Sequence, residues 1–196
     1  MKSKEWQDRQ NRDFFVKKAK NIGYVSRSAF KIIEIDKKFK LIANSKKILE
    51  LGSAPGGWSQ AVFQLKDTVK MHSFDLLNMK FSHPNMKFIK ENFLTYDYTK
   101  IPYKFDLILS DIAPNTTGHQ PTDHLRISSM IEDIISIIDF IALPSSSFVF
   151  KIWQGSEEKN IINKLKKKYA KVTYFKPRSS RTESSEIFIV AQKFIL

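Results

Sequence analysis

Residues 47–58, Lys47-Ile-Leu-Glu-Leu-Gly-Ser-Ala-Pro-Gly-Gly-Trp58, decide how this chain is read. A five-residue apolar run, KILEL, meets a turn holding three glycines and a proline, and a helical stretch, Trp58–Leu65, follows. An apolar run that stops at glycines and gives way to helical spacing reads as a strand entering a helix. Glycine allows the tight turn and lets a ligand approach the backbone. The spacing of Gly52, Gly56 and Gly57 is not the GxGxxG of a dinucleotide fold, and no GK[ST] follows, so it is not a P-loop. Pro55 offers no N–H and stiffens the turn, unlike a phosphate cradle.

Outward from this stretch the same rhythm repeats. Strand candidates are Val69–Asp75, Met86–Lys90, Phe105–Asp111, Ser147–Trp153, Val172–Phe175 and Glu186–Gln192. Met130, Ile131, Ile134, Ile135, Ile138 and Ile141 mark a helix over Ile127–Leu143, and Glu157–Tyr169 is a basic amphipathic helix. Upstream, residues 14–38 read as two short helices broken near Gly23, the second capped by Ser26. Apolar strands alternating with helices imply an α/β fold, a mainly parallel sheet covered on both faces. The last two strands are too close in sequence for a helical crossover, so they are expected to pair antiparallel. No linker divides the chain. It reads as one domain, 1–196, with a basic N-terminal helical extension (1–40) on a Rossmann-like core (41–196).

Composition narrows the function classes. Hydrophobic residues at 42% and charged residues at 27% place the chain among globular proteins. Cysteine is absent, which removes disulfides, thiolate zinc sites and a cysteine nucleophile, and fits a reducing compartment. The four histidines are scattered, so no metal is expected. There is no secretory signal at the start and no bilayer-spanning run. The expectation is an intracellular, monomeric protein without membrane contact, in the cytoplasm or, behind a leader, in an organelle. The net charge of +13 is uneven: residues 1–40 hold 12 Lys/Arg against 5 Asp/Glu, and residues 151–181 hold 10 against 2. Two basic segments on a near-neutral body fit a polyanion footprint, although lysine-rich solvated helix faces would give the same count.

Ligands of open parallel sheets bind beyond the carboxyl ends of the strands, so the residues just past each strand are the candidates. Asp75 could hold a ribose diol by accepting its hydroxyl protons. Asn92, in Glu91-Asn92-Phe93, could meet a base edge. Asp111 ends an apolar strand before Ile112-Ala113-Pro114. Lys151 lies inside Phe148-Val-Phe-Lys-Ile-Trp153, where a buried lysine needs a partner. Glu186 opens the last strand. Each of these carboxylates could also be an ordinary turn or strand-end charge, and Lys31 by itself reads as a surface lysine.

Six stretches then align in order: SRSAFK (26–31), LGSAPGGWSQ (51–60), FDLLNM (74–79), SDIAPNTTG (110–118), FKIWQG (150–155) and KPRSSRTESSEIFIV (176–190). Together they resemble the FtsJ-type RNA 2′-O-ribose methyltransferases. The resemblance covers about residues 12–192. It implies a Rossmann-like fold of seven strands with an antiparallel last strand, S-adenosyl-L-methionine as cofactor and RNA as substrate, with ribosomal RNA or the large ribosomal subunit favoured. It also implies a Lys-Asp-Lys-Glu tetrad, carried here by Lys31, Asp111, Lys151 and Glu186. Cofactor contacts carry over to Gly52, Ser53, Ala54, Pro55, Gly56, Gly57, Trp58, Asp75, Asn92 and Asp111. Asn92 departs from the family's aspartate. Transfer RNA as substrate, or a non-catalytic RNA-binding or ribosome-assembly role, is the alternative reading.

Under this resemblance Lys151 is the expected general base. A free lysine titrates at about 10.4, so burial and the second ammonium of Lys31 are expected to favour its neutral form. Arg27, Lys167, Arg178 and Arg181 are the expected phosphate contacts, with both basic segments forming one surface around the site.

Overall fold

A computed structural model describes residues 12–113, 119–155, 157–181 and 184–195. Helix α1 (Phe14–Ile22) starts where the carboxylate of Asp13 accepts from the Phe15 and Val16 N–H groups. It ends at Gly23, whose φ of 83° suits the left-handed cap that stops a helix. Helix α2 (Ala29–Phe39) follows. Ser26 was expected to cap it, but the helix begins three residues later, at an N-cap Ser28 that makes no side-chain cap bond. Ser26 instead accepts the Ser28 N–H within the preceding turn.

The core then alternates β1 (Lys47–Leu51), α3 (Gly57–Leu65), β2 (Lys70–Phe74), β3 (Met86–Ile89), β4 (Phe105–Ser110), α4 (Gln120–Ile141), β5 (Ala142–Trp153), α5 (Glu158–Lys166), β6 (Tyr169–Phe175) and β7 (Glu186–Phe194). The seven strands lie in the order β3-β2-β1-β4-β5-β7-β6. The first five are parallel, and β7 runs antiparallel to both β5 and β6. The expected mainly parallel sheet with an antiparallel closing pair is what forms.

Both faces of the sheet are covered, so the central strands are apolar almost throughout. On one face Leu49, Leu51, Phe74, Ile108, Phe148 and Phe150 pack with the isoleucines of α4. On the other, Ile48, Leu107, Val149 and Phe188 pack with Ile32 and Ile35 of α2 and with Trp58 and Val62 of α3. Helix α2 therefore belongs to the core and is no appendage.

Three boundaries differ from the sequence expectation. Helix α4 starts at Gln120, seven residues before Ile127, with a proline in its first turn; apolar spacing marks only the buried part of a helix. Strand β5 starts at Ala142 rather than Ser147, directly from α4, and its register against β4 shifts between Phe105 and Leu107. Helix α5 stops at Lys166, so the buried ring of Tyr169 begins β6. No helix among the described residues is long and apolar enough to cross a membrane.

Candidate active site

The carboxyl ends of β1, β2, β4 and β5 open on the same end of the sheet, where the antiparallel β7 begins. Register brings the tetrad together there. Trp153 of β5 lies opposite Glu186 of β7, and Ser110 of β4 lies opposite Phe150 of β5. Asp111 and Lys151 thus become neighbours. The Lys151 ammonium donates to Asp111 Oδ1 at 2.8 Å and to the Asp111 carbonyl at 3.0 Å. Lys31 reaches in from α2 and pairs with Glu186 Oε1 at 2.7 Å. It also lies 5.5 Å from the centre of the Phe188 ring.

Both lysines are buried, at 9% and 8% exposure. Such charges persist only when paired. Burial pushes the Asp111 carboxyl up. The ammoniums of Lys151 and Lys31 and the Lys151 hydrogen bond outweigh that push and hold it below its ordinary value. The electrostatic reach of Lys31 to Asp111 makes the two pairs one site. Beside Lys31 and Glu186 lies a cleft of about 300 Å³, lined also by Ser26, Arg27, Ser28, Arg181 and Ser184.

The glycine turn sits at the adjoining strand ends. Gly52 has φ 73°, and a Cβ there would lie 2.6 Å from Ile112 Cγ1. Gly56 has φ 109°, and a Cβ would press on Phe81 and Met79. Both positions therefore require glycine. Ser53 is buried with its N–H on the Phe74 carbonyl, and Gly57 packs against Ser26 and Ser28. Ala54 and Pro55 remain half-buried at the rim. Trp58 does not face the site: its ring is 2% exposed and packs on Phe188, so only its backbone can serve a ligand.

Asp75 ends β2 and braces this turn, accepting from the Ala54 N–H and the Leu77 N–H, both at 2.8 Å. Asn92 is exposed past the end of β3, and its side-chain oxygen accepts from the Leu94 N–H at 3.0 Å. The turn, Asp75, Asn92 and Asp111 stand past the carboxyl ends of four adjacent strands, β1, β2, β3 and β4. Backbone approaches closely on one side and carboxylates stand on the other. That donor set fits a nucleoside with an attached amino acid.

The sequence reasoning missed two groups. Glu50 is 2% exposed and accepts from the Ser59 and Ser73 hydroxyls. Burial, opposed by those two bonds, pushes its carboxyl up to about 8. Its place inside the buried KILEL run was the available signal. Asp13 joins Arg27 and Arg181: the Arg27 guanidinium donates to Asp13 Oδ2, and Arg181 Nε donates to it at 3.2 Å. Arg27 also donates to the Ser179 carbonyl. Nothing local in the sequence marks a pairing across 168 positions.

The expected phosphate contacts therefore separate. Arg27 and Arg181 lie at the cleft but share Asp13. Arg178 is exposed, with its backbone N–H on Glu34. Lys167 is elsewhere. Helix α5 runs from the carboxyl end of β5 back along the sheet, and Lys167 follows its last turn, two residues before Tyr169. Tyr169 pairs with Phe194, eight residues along β7 from Glu186. At ~3.3 Å per residue that is roughly 26 Å from the tetrad. The second basic segment therefore divides: its 178–181 end meets the first at the cleft, whereas Lys167 lies at the opposite end of the sheet. Parts of two motif stretches, 114–118 of 110–118 and 182–183 of 176–190, lie outside the described residues.

Comparison with known proteins adds independent findings. Residues 24–194 match the FtsJ-like methyltransferase family. The chain is 41% identical over 199 residues to the "Ribosomal RNA large subunit methyltransferase E" of Caulobacter vibrioides, covering 96% of this chain and 85% of that protein. It is 40% identical to the protein of the same name from Granulibacter bethesdensis, covering 98% and 85%. A crystal structure of a ribosomal RNA methyltransferase from Plasmodium falciparum superposes with a TM-score of 0.77 at 28% identity, covering 87% of this chain and 98% of that one.

Proposed function

The chain belongs to the FtsJ-like methyltransferase family, and from that premise we propose that it methylates the 2′-hydroxyl of a ribose in large-subunit ribosomal RNA. The observation that carries the chemistry is the pair of buried ion pairs, Lys151–Asp111 and Lys31–Glu186, at one end of the sheet. The relatives named ribosomal RNA large subunit methyltransferase support the choice of substrate.

The end of the sheet bearing Gly52–Gly57, Asp75, Asn92 and Asp111 is the place for S-adenosylmethionine, which when bound supplies an electrophilic methyl group. Gly52 and Gly56 let backbone lie against it. Asp75 has spare lone pairs for ribose hydroxyls beyond the two N–H bonds it already accepts. Asn92 would meet the edge of its base.

A ribose hydroxyl is a weak nucleophile and must lose its proton as the new bond forms. Lys151 takes that proton once its ammonium, held here by Asp111, has released its own to solvent. Asp111 aims the Lys151 nitrogen through its carboxylate and its own carbonyl. Lys31, fixed by Glu186, places positive charge where the hydroxyl oxygen becomes negative. Much of the acceleration comes from alignment of rigid groups on strands and a core helix.

The test is transfer of label from tritiated S-adenosylmethionine to naked ribosomal RNA, isolated large subunits and transfer RNA, each also offered to Lys151→Ala. The expected result is label in ribose-methylated nucleotides of ribosomal RNA or subunits, with turnover by the variant down about 10³-fold. Label in transfer RNA alone would overturn the substrate. Full turnover by Lys151→Ala would overturn the assigned base. No label anywhere would favour a non-catalytic RNA-binding role.

A further inference from the structure

A row of exposed lysines lies at the end of the sheet opposite the site. Lys70 begins β2, Lys46 precedes β1, Lys104 precedes β4, Lys193 lies near the end of β7 and Lys167 precedes β6. All five are exposed. Strand order places them in the sequence 70, 46, 104, 193, 167 across the sheet. From β2 to β6 is five strand spacings of ~4.8 Å, so the row spans roughly 24 Å. That width matches several successive phosphates.

Helix-dipole compensation does not account for the row. It would favour lysine in the last turn of a helix, whereas Lys46, Lys70, Lys104 and Lys193 lie at strand ends or in the loops leading to them. Nor are they structural ion pairs. Nearby acids have other work: Asp106 accepts the Lys46 and Lys47 N–H groups, and Asp139 pairs with Lys168. Lys104 donates to the Asp139 carbonyl at 3.4 Å.

A second feature lies at the same end. A cleft of about 410 Å³ opens between the start of β4 and the end of α4, walled by Tyr98, Ile101, Tyr103 and Phe105, with Lys104 beside it. Phe140 stands at its lip, 76% exposed. Of the large hydrophobic residues described it is the most exposed, and it adjoins the apolar walls of the cleft. Cationic tracks interleaved with aromatic rings bind nucleic acid by phosphate contact and base stacking.

We propose that this amino-terminal edge of the sheet is a second RNA-binding surface. The lysine row holds backbone phosphates, and the Phe140 cleft takes an unpaired base. Asp111 is seven residues beyond Lys104 along β4, roughly 23 Å at strand rise. The surface therefore grips the substrate far from the reacting ribose and selects long, folded RNA over a short target. The inference rests on the RNA-methylating role, but a binding measurement tests it without turnover.

The measurement is the Kd of a fluorescently labelled large-subunit ribosomal RNA fragment, between about 50 and 200 mM salt. The proteins are the wild type, the quadruple variant Lys46→Gln/Lys104→Gln/Lys167→Gln/Lys193→Gln and Phe140→Ser. The quadruple variant is expected to bind at least 10-fold more weakly and to lose about 3 from the slope of log K against log salt, at roughly 0.7–0.9 per phosphate contact. Phe140→Ser should weaken binding several-fold with its slope unchanged. With a short oligonucleotide of the target loop, the quadruple variant should match the wild type. Equal Kd and slope on the long RNA would overturn the proposal, leaving a protein partner as the occupant of the face. Equal losses on long and short RNA would also overturn it, because the lysines would then act at the site. Intact long-RNA binding by the wild type without methyl transfer would count against the enzymatic reading and leave this surface standing.

Discussion

At the carboxyl ends of the strands Lys31 meets Glu186, Lys151 meets Asp111, and Arg27 and Arg181 meet Asp13. At the amino ends Lys46, Lys70, Lys167 and Lys193 stand exposed, with no side-chain partner among the described residues. The difference follows from solvent. A charge taken out of water must be matched or neutralised, at a cost of several kcal/mol if it is not. A charge left in water needs no partner and gains little from one. Catalytic charge is thus compensated and adds little to the net +13. The net charge of a chain locates what it binds by long-range attraction, and the chemistry is done elsewhere.

The comparison is broken most directly by removing one charge from each end. Asp111→Ala leaves Lys151 buried without its carboxylate, and we expect a loss of about 3 kcal/mol in urea unfolding at neutral pH. Lys167→Ala should cost under about 0.5 kcal/mol. The pH dependence gives the sign a second check. Asp111 is held below its ordinary value by Lys151 and Lys31, although burial pushes it up. Its contribution is therefore present above the ordinary carboxyl range and disappears as pH falls through its depressed native value. The deficit of Asp111→Ala should shrink in strong acid. Equal costs at both ends would erase the distinction.

Glu50 sharpens the comparison, because it is buried at the catalytic end with two hydroxyls and no cation. Burial pushes it up to about 8 against the pull of Ser59 and Ser73, so it is protonated in the native protein at neutral pH. A carboxyl raised above its unfolded value contributes fully below that value, about 4.3, and the contribution drains as pH rises through the native value. The wild type should lose about 1 kcal/mol between pH 7 and 8 from this group. Glu50→Gln, which mimics the protonated form, should flatten that loss. Thermal unfolding from pH 5.5 to 9 reads it, and parallel curves for the two proteins would show that Glu50 is ionised in the native state.

How far such contrasts were legible in sequence depended on range. The strands were legible because both their faces are covered, and an unbroken apolar run such as Ile187–Ala191 has few other uses. Lys151 stood out as a charge inside such a run. Lys31 did not, because on an amphipathic helix with Lys37 and Lys38 nearby its burial depends on Phe188 and Glu186, more than 150 residues away. Only resemblance singled it out. Lys167 was misplaced for the same reason: sixteen residues separate it from Lys151, but helix α5 spends them returning along the sheet. Sequence distance measures chain, and an element's direction converts it to space.

Asn92 sets the smallest expected effect, at the edge of the catalytic end where exposure is high. Its one side-chain oxygen already accepts the Leu94 N–H. An asparagine has no second side-chain oxygen, so the turn and a nucleoside base compete for the same atom's lone pairs. Aspartate would keep the turn with one oxygen and free the other for an amino group. Asn92→Asp should therefore tighten S-adenosylmethionine binding by a few-fold, about the worth of one hydrogen bond in partly wet surroundings, without moving Tm. Calorimetric titration of cofactor into both proteins measures it. A weaker affinity in the variant would mean that the amide N–H₂ of Asn92 does the recognising, donating to a ring nitrogen, and that the departure from aspartate changes how the base is read.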